Sequence, residues 1–252
     1  MNTNLTIHSV VKNEPFIYYA IKSVYNFCDE ILLYETMSTD KYTMKDIEQL
    51  LSEDIEKKIR FKRIQLDFDE EKWSLDNLAG FIKEHHGKMS VGKVRQMQID
   101  DTRTKYAMLV DGDEVHYRGS MIQIMHLLQN FPKDKYEIGL PLTWFYDLEH
   151  TFTTQTFPYN GRIIVNDMVY MNDDSPNEQH VIKGKNEIFT YEHPNYMIFK
   201  ELRPYVHFES VIRPWRRKAK VPADNIKPFT GVLPEDMMLN PYYVNRFRKE
   251  NN

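Results

Sequence analysis

Past its leading Lys105 the segment "KYAMLV" is apolar throughout, and it runs straight into "DGDEVH". A short strand that is apolar throughout must be covered on both faces, as central strands of mostly parallel sheets flanked by helices are. The chain before it supplies such neighbours. "NLTIHSVV" (4–11), "EILLYE" (30–35) and "RFKRIQL" (60–66) are rich in β-branched and apolar residues and read as strands. Between them lie helical patterns. In "NEPFIYYAIKSVYNF" Asn13 is placed to cap, Pro15 sits where its missing N–H costs nothing, and Phe16, Ile17, Ala20, Ile21 and Val24 form one stripe. "MKDIEQLLSEDIEKK" is amphipathic, while "DEEKWSLDNLAGFIKEHH" and "VGKVRQMQIDDTR" read as helices, with the stretch around Gly87 and Gly92 readable also as an open loop. Strand and helix alternating in this way predict an α/β fold, an α/β/α sandwich with a mostly parallel central sheet and right-handed crossovers.

Ligands of such sheets collect beyond the carboxyl ends of the strands. Three loops are expected there: "VKNE" after the first strand, "ETMSTD" after the second and "DGDE" after the fourth. After residue 119 the pattern changes to an apolar helix, "SMIQIMHLLQNF", and then to strand-like pieces "YEIGLPLTWFYDL", "GRIIVNDMVYM" and "YEHPNYMIFKEL". We read one continuous domain, with 1–118 as a ligand-binding half and 119–252 as a second half ending in a basic tail. A chain of 252 residues that is 41% hydrophobic can bury a core of that size.

Charge and cysteine content narrow the partners. A net charge of −4 gives no general basic field for nucleic acid, although basic residues thicken at "RPWRRKAK". The single cysteine, Cys28, excludes an internal disulfide framework and a cysteine-rich zinc site, and suits a reducing cytoplasm. The start of the chain lacks signal-peptide patterning, and no apolar run approaches the ~20 residues that span a bilayer. At most, the aromatic and basic "NPYYVNRFRKENN" suggests peripheral membrane contact.

Asp111 and Asp113 place four carboxylate oxygens at a strand end. Like charges so close repel, and burial sharpens the repulsion, so a positive partner is expected. A hard divalent cation, Mg²⁺ or Mn²⁺, would satisfy them and bridge to a diphosphate. "VVKNEPFIYYAIKSVYNFCDEILLYETMSTDKY" and "VRQMQIDDTRTKYAMLVDGDE" resemble, in that order, the opening motifs of family 2 glycosyltransferases of the GT-A fold. The resemblance covers residues 5–118 well and the rest loosely.

The resemblance implies a metal-dependent transfer, with inversion, of a sugar from a nucleotide-diphosphate donor to a glycan or other hydroxyl acceptor. Val11, Asn13, Glu14, Glu35, Asp40, Arg95, Asp111 and Gly112 would then surround the donor, Glu35 standing where the family usually has Asp and Gln96 where it has Asn. Asp111, Asp113 and His207 would hold the metal, Asp111 facing ribose or reaching the ion through water, and Arg213, Arg216 or Arg217 would offset the leaving diphosphate. The catalytic base would come from Asp173, Asp174 or Glu178 in "YMNDDSPNEQHV", with Asp147 as alternative; the pair Glu235–Asp236 falls on the wrong side of His207. Trp144, Tyr146 and Tyr170 could stack on an acceptor sugar, or simply be core.

Other classes compete. A haloacid-dehalogenase-like phosphatase would use Asp111 as nucleophile, but its motif usually opens the domain. A nucleotidyltransferase would be expected to carry a glycine-rich loop after the first strand, which "HSVVKNEPF" lacks. A non-catalytic carbohydrate-binding protein would need no metal.

Overall fold

A computed structural model describes residues 3–67, 88–152, 159–172, 179–185, 187–188, 190, 192–208, 211, 221–239 and 245. The first half alternates as its patterning predicts: β1 (Leu5–Val11), α1 (Ile17–Tyr25), β2 (Glu30–Glu35), α2 (Thr43–Glu53), β3 (Ile59–Arg63), α3 (Val91–Asp101) and β4 (Tyr106–Leu109). The helix read over 69–86 lies outside the described residues. The second half comprises β5 (Glu114–Val115), α4 (Arg118–Gln129), β6 (Glu137–Phe145), β7 (His150–Phe152), β8 (Tyr159–Val165), β9 (Val169–Asn172), β10 (Gln179–Ile182), β11 (Tyr196–Ile198), β12 (Tyr205–His207), β13 (Ile226–Pro228) and the short α5 (Glu235–Leu239).

Strands β3, β2, β1 and β4 lie side by side and all parallel. The inner strands are covered on both faces, with β2 and β4 buried at every position, while the outermost, β3, is charged and half-buried. β8 then runs antiparallel beside β4, and β6 antiparallel beside β8. Beyond them β6 carries β11 and β12 parallel on its other edge, while β12 also pairs antiparallel with β5. β9 and β10 form a separate hairpin whose Met171 N–H donates to Gln96 Oε1 of α3 at 2.8 Å.

The main core packs α1 and α4 against one sheet face. Phe208 lies fully buried between Phe16 of the α1 approach, ring centroids 5.0 Å apart, and Phe145 of β6, at 4.8 Å. These rings, each worth about 2–3 kcal/mol of burial, fix where the chain leaves β12. Among the described residues no helix is long and apolar enough to cross a membrane.

One local expectation is corrected. Asn13 does not cap α1, whose N-terminal neighbour Phe16 makes no side-chain cap bond. Asn13 instead adopts a left-handed φ of 56° and turns its side chain to the loop after β2.

Candidate functional site

The three loops expected at the carboxyl ends of the strands do meet. Asn13 Oδ1 accepts the N–H groups of Thr39 (2.8 Å) and Asp40 (3.1 Å), and Asn13 N–H donates to Ser38 Oγ at 3.0 Å. Asp40 accepts from the N–H groups of Tyr42 and Thr43 at 2.7 and 2.8 Å, which starts α2 as an N-cap does. Glu14 N–H donates to Thr43 Oγ1 at 2.7 Å, closing the ring. Asp40 thus ties its loop to the start of α2. Glu35, fully buried, is committed to the protein: Oε1 accepts from Ser38 N–H and Oε2 pairs with Arg63 Nε at 2.9 Å.

The third loop is held against the first. A Cβ on Gly112 would stand 2.5 Å from Glu14 Cβ and 3.2 Å from Val11 Cγ1, so only glycine lets the acidic turn lie this close. Gly112→Ala is expected to cost about 1–3 kcal/mol and to lift the turn off Glu14, read as a lowered urea midpoint. An unchanged midpoint would show that this approach is not a constraint.

Asp111 Oδ1 pairs with the Nη2 of buried Arg95 on α3, and its Oδ2 with Arg162 Nη1 on β8 at 3.1 Å. Arg162 also donates through Nη2 to Glu114 Oε1 and through Nε to Tyr205 Oη, at 3.1 Å. Glu114 Oε2 accepts the Asp111 N–H at 3.1 Å. Burial alone would raise the Asp111 carboxyl, but the two guanidiniums outweigh it and hold it well below the usual carboxylate range. Burial dominates at Glu114 and pushes it up to about 7, against the pull of Arg162.

Asp113 joins that cluster through His207, whose Nε2 also lies 4.0 Å from Glu114 Oε1. Asp113 Oδ1 lies 3.3 Å from His207 Nε2, and both residues are buried, at 2% and 7% exposure. The fold makes this pair in two ways: β12 runs beside β5 with His207 opposite Glu114, and the Phe208 N–H donates to Asp113 O at 2.9 Å. Trp144, only 4% exposed, packs its ring 4.3 Å from that of His207. It is a wall of this pair, so of its two readings, sugar platform or core, its burial favours core; Tyr146 meets Phe152 edge-on, at 6.5 Å.

A carboxylate and an imidazole at this separation suit one Mn²⁺ or Mg²⁺ ion, since neighbouring ligands of an octahedral ion stand about 3 Å apart. Among the described residues no three His, Cys, Asp or Glu side chains gather as a metal-holding group, because both Asp111 oxygens face guanidiniums. The same engagement leaves Asp111 ill placed as a phosphatase nucleophile.

Asp147 is occupied in its own turn. Oδ1 accepts from the N–H groups of Glu149 and His150, both at 2.8 Å. Burial would raise it, but these bonds and the His150 ring prevail and hold it below its ordinary value, which disfavours it as a base. Asp173, Asp174, Glu178, Arg213, Arg216 and Arg217 lie outside the described residues. Asn172 and Gln179, which flank the first three along the chain, are paired in register.

Sequence reading missed Arg162. Its signal is an arginine inside the otherwise apolar "GRIIV", a buried charge that demands an acid. It also missed His116, buried and stacked on Tyr205 at 4.8 Å, with no hydrogen-bond partner at either ring nitrogen among the described residues. Burial, then Arg162, lowers His116 to about 3. A depressed histidine costs stability as pH falls from the unfolded value of 6.5 toward 3, by about 1.4 kcal/mol per unit. His116→Phe should therefore gain on the wild type by that amount per pH unit between 6.5 and 4.5 in urea unfolding. A constant difference would refute it.

No known family profile and no curated protein matches the chain. Solved structures do resemble it at low identity. Residues 1–349 of S. aureus TarS match at 10% identity, over 83% of this chain and 61% of that one, with a TM-score of 0.48. Glucosyl-3-phosphoglycerate synthase from Mycobacterium tuberculosis, solved with Mn²⁺, UDP and glucosyl-3-phosphoglycerate, matches at 13%, over 54% of this chain and 43% of that one, with a TM-score of 0.36. The same enzyme solved with Mg²⁺ and UDP gives 13% and 0.36. The chain spans less than two thirds of the length of each.

Proposed function

We propose that this α/β chain is a glycosyltransferase that moves a sugar from a nucleotide-diphosphate donor to a hydroxyl acceptor, using Mn²⁺ or Mg²⁺. The observation that carries the reading is the Asp113–His207 pair at the tip of a parallel strand, beside two loops tied together through Asn13. In this reading residues 1–118 hold the donor and 119–252 the acceptor.

Asp113 and His207 hold the cation, which when bound supplies positive charge to the leaving diphosphate. The ordered loops at Asn13–Glu14 and Thr36–Asp40 form the floor for the nucleoside. Arg95 orients Asp111 toward that floor from α3. Arg213 or Arg217 adds positive charge at the diphosphate from the second half. A carboxylate of Asp174 or Glu178 removes the acceptor proton. The attack comes from the face opposite the leaving group, with inversion.

Thermal-shift measurements with UDP-, GDP- and dTDP-sugars, each with and without Mn²⁺, test the proposal. One nucleotide is expected to raise the melting temperature only with metal, since a ligand specific to the folded state stabilises it. No shift with any of them would overturn the reading.

A further inference from the structure

At the amino ends of the parallel strands, away from the acidic turn, the fold holds a cavity of about 770 Å³. Thr3 before β1, Phe27 and Asp29 before β2 and Lys58 before β3 form one wall. The other is α4, through Ile122, Met125, His126 and Gln129, whose spacing puts them on one helix face. The seven residues of β1 alone set this cavity roughly 20 Å from the loop at Asn13. Its volume falls in the range of small-molecule sites, about 300–1,000 Å³.

The charged groups of the wall are engaged within the protein. Lys58 Nζ meets Glu56 Oε2 at 3.0 Å and donates to Tyr25 O at 3.2 Å, and the Asp29 oxygens accept the N–H groups of Thr3 (3.0 Å) and Asn4 (2.6 Å). The other polar groups are open. Among the described residues Thr3 Oγ1 is buried with no hydrogen-bond partner, and the side chains of Asn26, His126 and Gln129 make no hydrogen bond. Between them stand the half-buried Phe27 ring, Met125 and Ile122, the last 46% exposed. A phosphate would find no uncommitted lysine or arginine here, and an organic cation no uncommitted carboxylate. Hydroxyl, amide and imidazole groups around an aromatic ring instead match a ligand that is uncharged, rich in hydroxyls and apolar on one face, as a pyranose is. Beyond His126 a second hollow of about 420 Å³ is walled by Phe199, Leu127 and Gln123, so a chain of sugars can continue across His126 from one ring to the next.

We propose that this cavity is a carbohydrate-binding site, separate from the transfer site, which takes an oligosaccharide of uncharged sugars. The binding stands without the donor reading. Under that reading, the site retains a long acceptor between transfers.

The test is saturation-transfer difference NMR on the full chain with cellotetraose, maltotetraose and tetra-N-acetylchitotetraose, recorded with UDP and Mn²⁺ present. Ile122, His126 and Gln129 are exposed, so substitutions there should leave the urea midpoint unchanged. At least one tetrasaccharide should bind. Ile122→Trp, which fills the mouth, should abolish that binding, and His126→Ala with Gln129→Ala should weaken it about tenfold. Asp113→Asn should bind the sugar as wild type does. No transfer to any of the three, or transfer that survives both cavity variants, overturns the proposal. So does a loss in Asp113→Asn equal to that in the cavity variants, which would put the sugar at the acidic turn. A chain that binds no nucleotide with Mn²⁺ sinks the donor reading alone, and the sugar signals are read in the same way.

Discussion

Asp113→Asn is expected to slow sugar transfer by about a thousandfold while the chain stays folded. The substitution keeps the shape of a buried side chain that faces His207 at 3.3 Å and removes the charge that would anchor the cation. Metal stabilisation of a leaving diphosphate is worth several kcal/mol, and each 1.4 kcal/mol is tenfold in rate. The fall should appear in kcat and in the Mn²⁺ concentration needed for half-maximal rate. Transfer at more than a tenth of the wild-type rate, at saturating metal, would remove Asp113 from the site. His207→Gln should act in the same direction with a smaller loss, because an imidazole contributes no net charge.

The second large effect is on stability. Arg162→Met should destabilise the fold by about 3–5 kcal/mol, since it leaves Glu114 without its guanidinium and Asp111 with Arg95 alone. Most of that cost is uncompensated charge. Adding Asp111→Asn should therefore recover part of it, giving a coupling of about 1–3 kcal/mol in a double-mutant cycle from urea unfolding. Strict additivity would mean that the two side chains do not act as a pair.

Much of the fold was legible because its signals are local. The apolar run of β2 and the stripe of α1 each follow from a window of a few residues, and the three loops converge because parallel strands share an end. The acidic turn correctly announced a positive partner. What could not be read was which one, because Arg95 and Arg162 reach Asp111 from α3 and β8, elements whose register with β4 no local pattern encodes. Asn13 shows the same limit: its spacing from Pro15 fits a cap, but tertiary bonds to Thr39 and Asp40 prevail over that local option. Trp144 stayed open between two readings for the converse reason. An aromatic in a strand carries no mark of whether its face is open, and here the His207 ring covers it.

Asp113 and His207 belong to segments separated by the whole of α4, β6 and β8, and they meet only after β12 has slotted between β5 and β6. Contacts so distant along the chain are among the last to form. Uptake of a cation would then report completed assembly: an early collapsed species, or a fragment ending before β12, should show helical circular dichroism and no affinity for manganese.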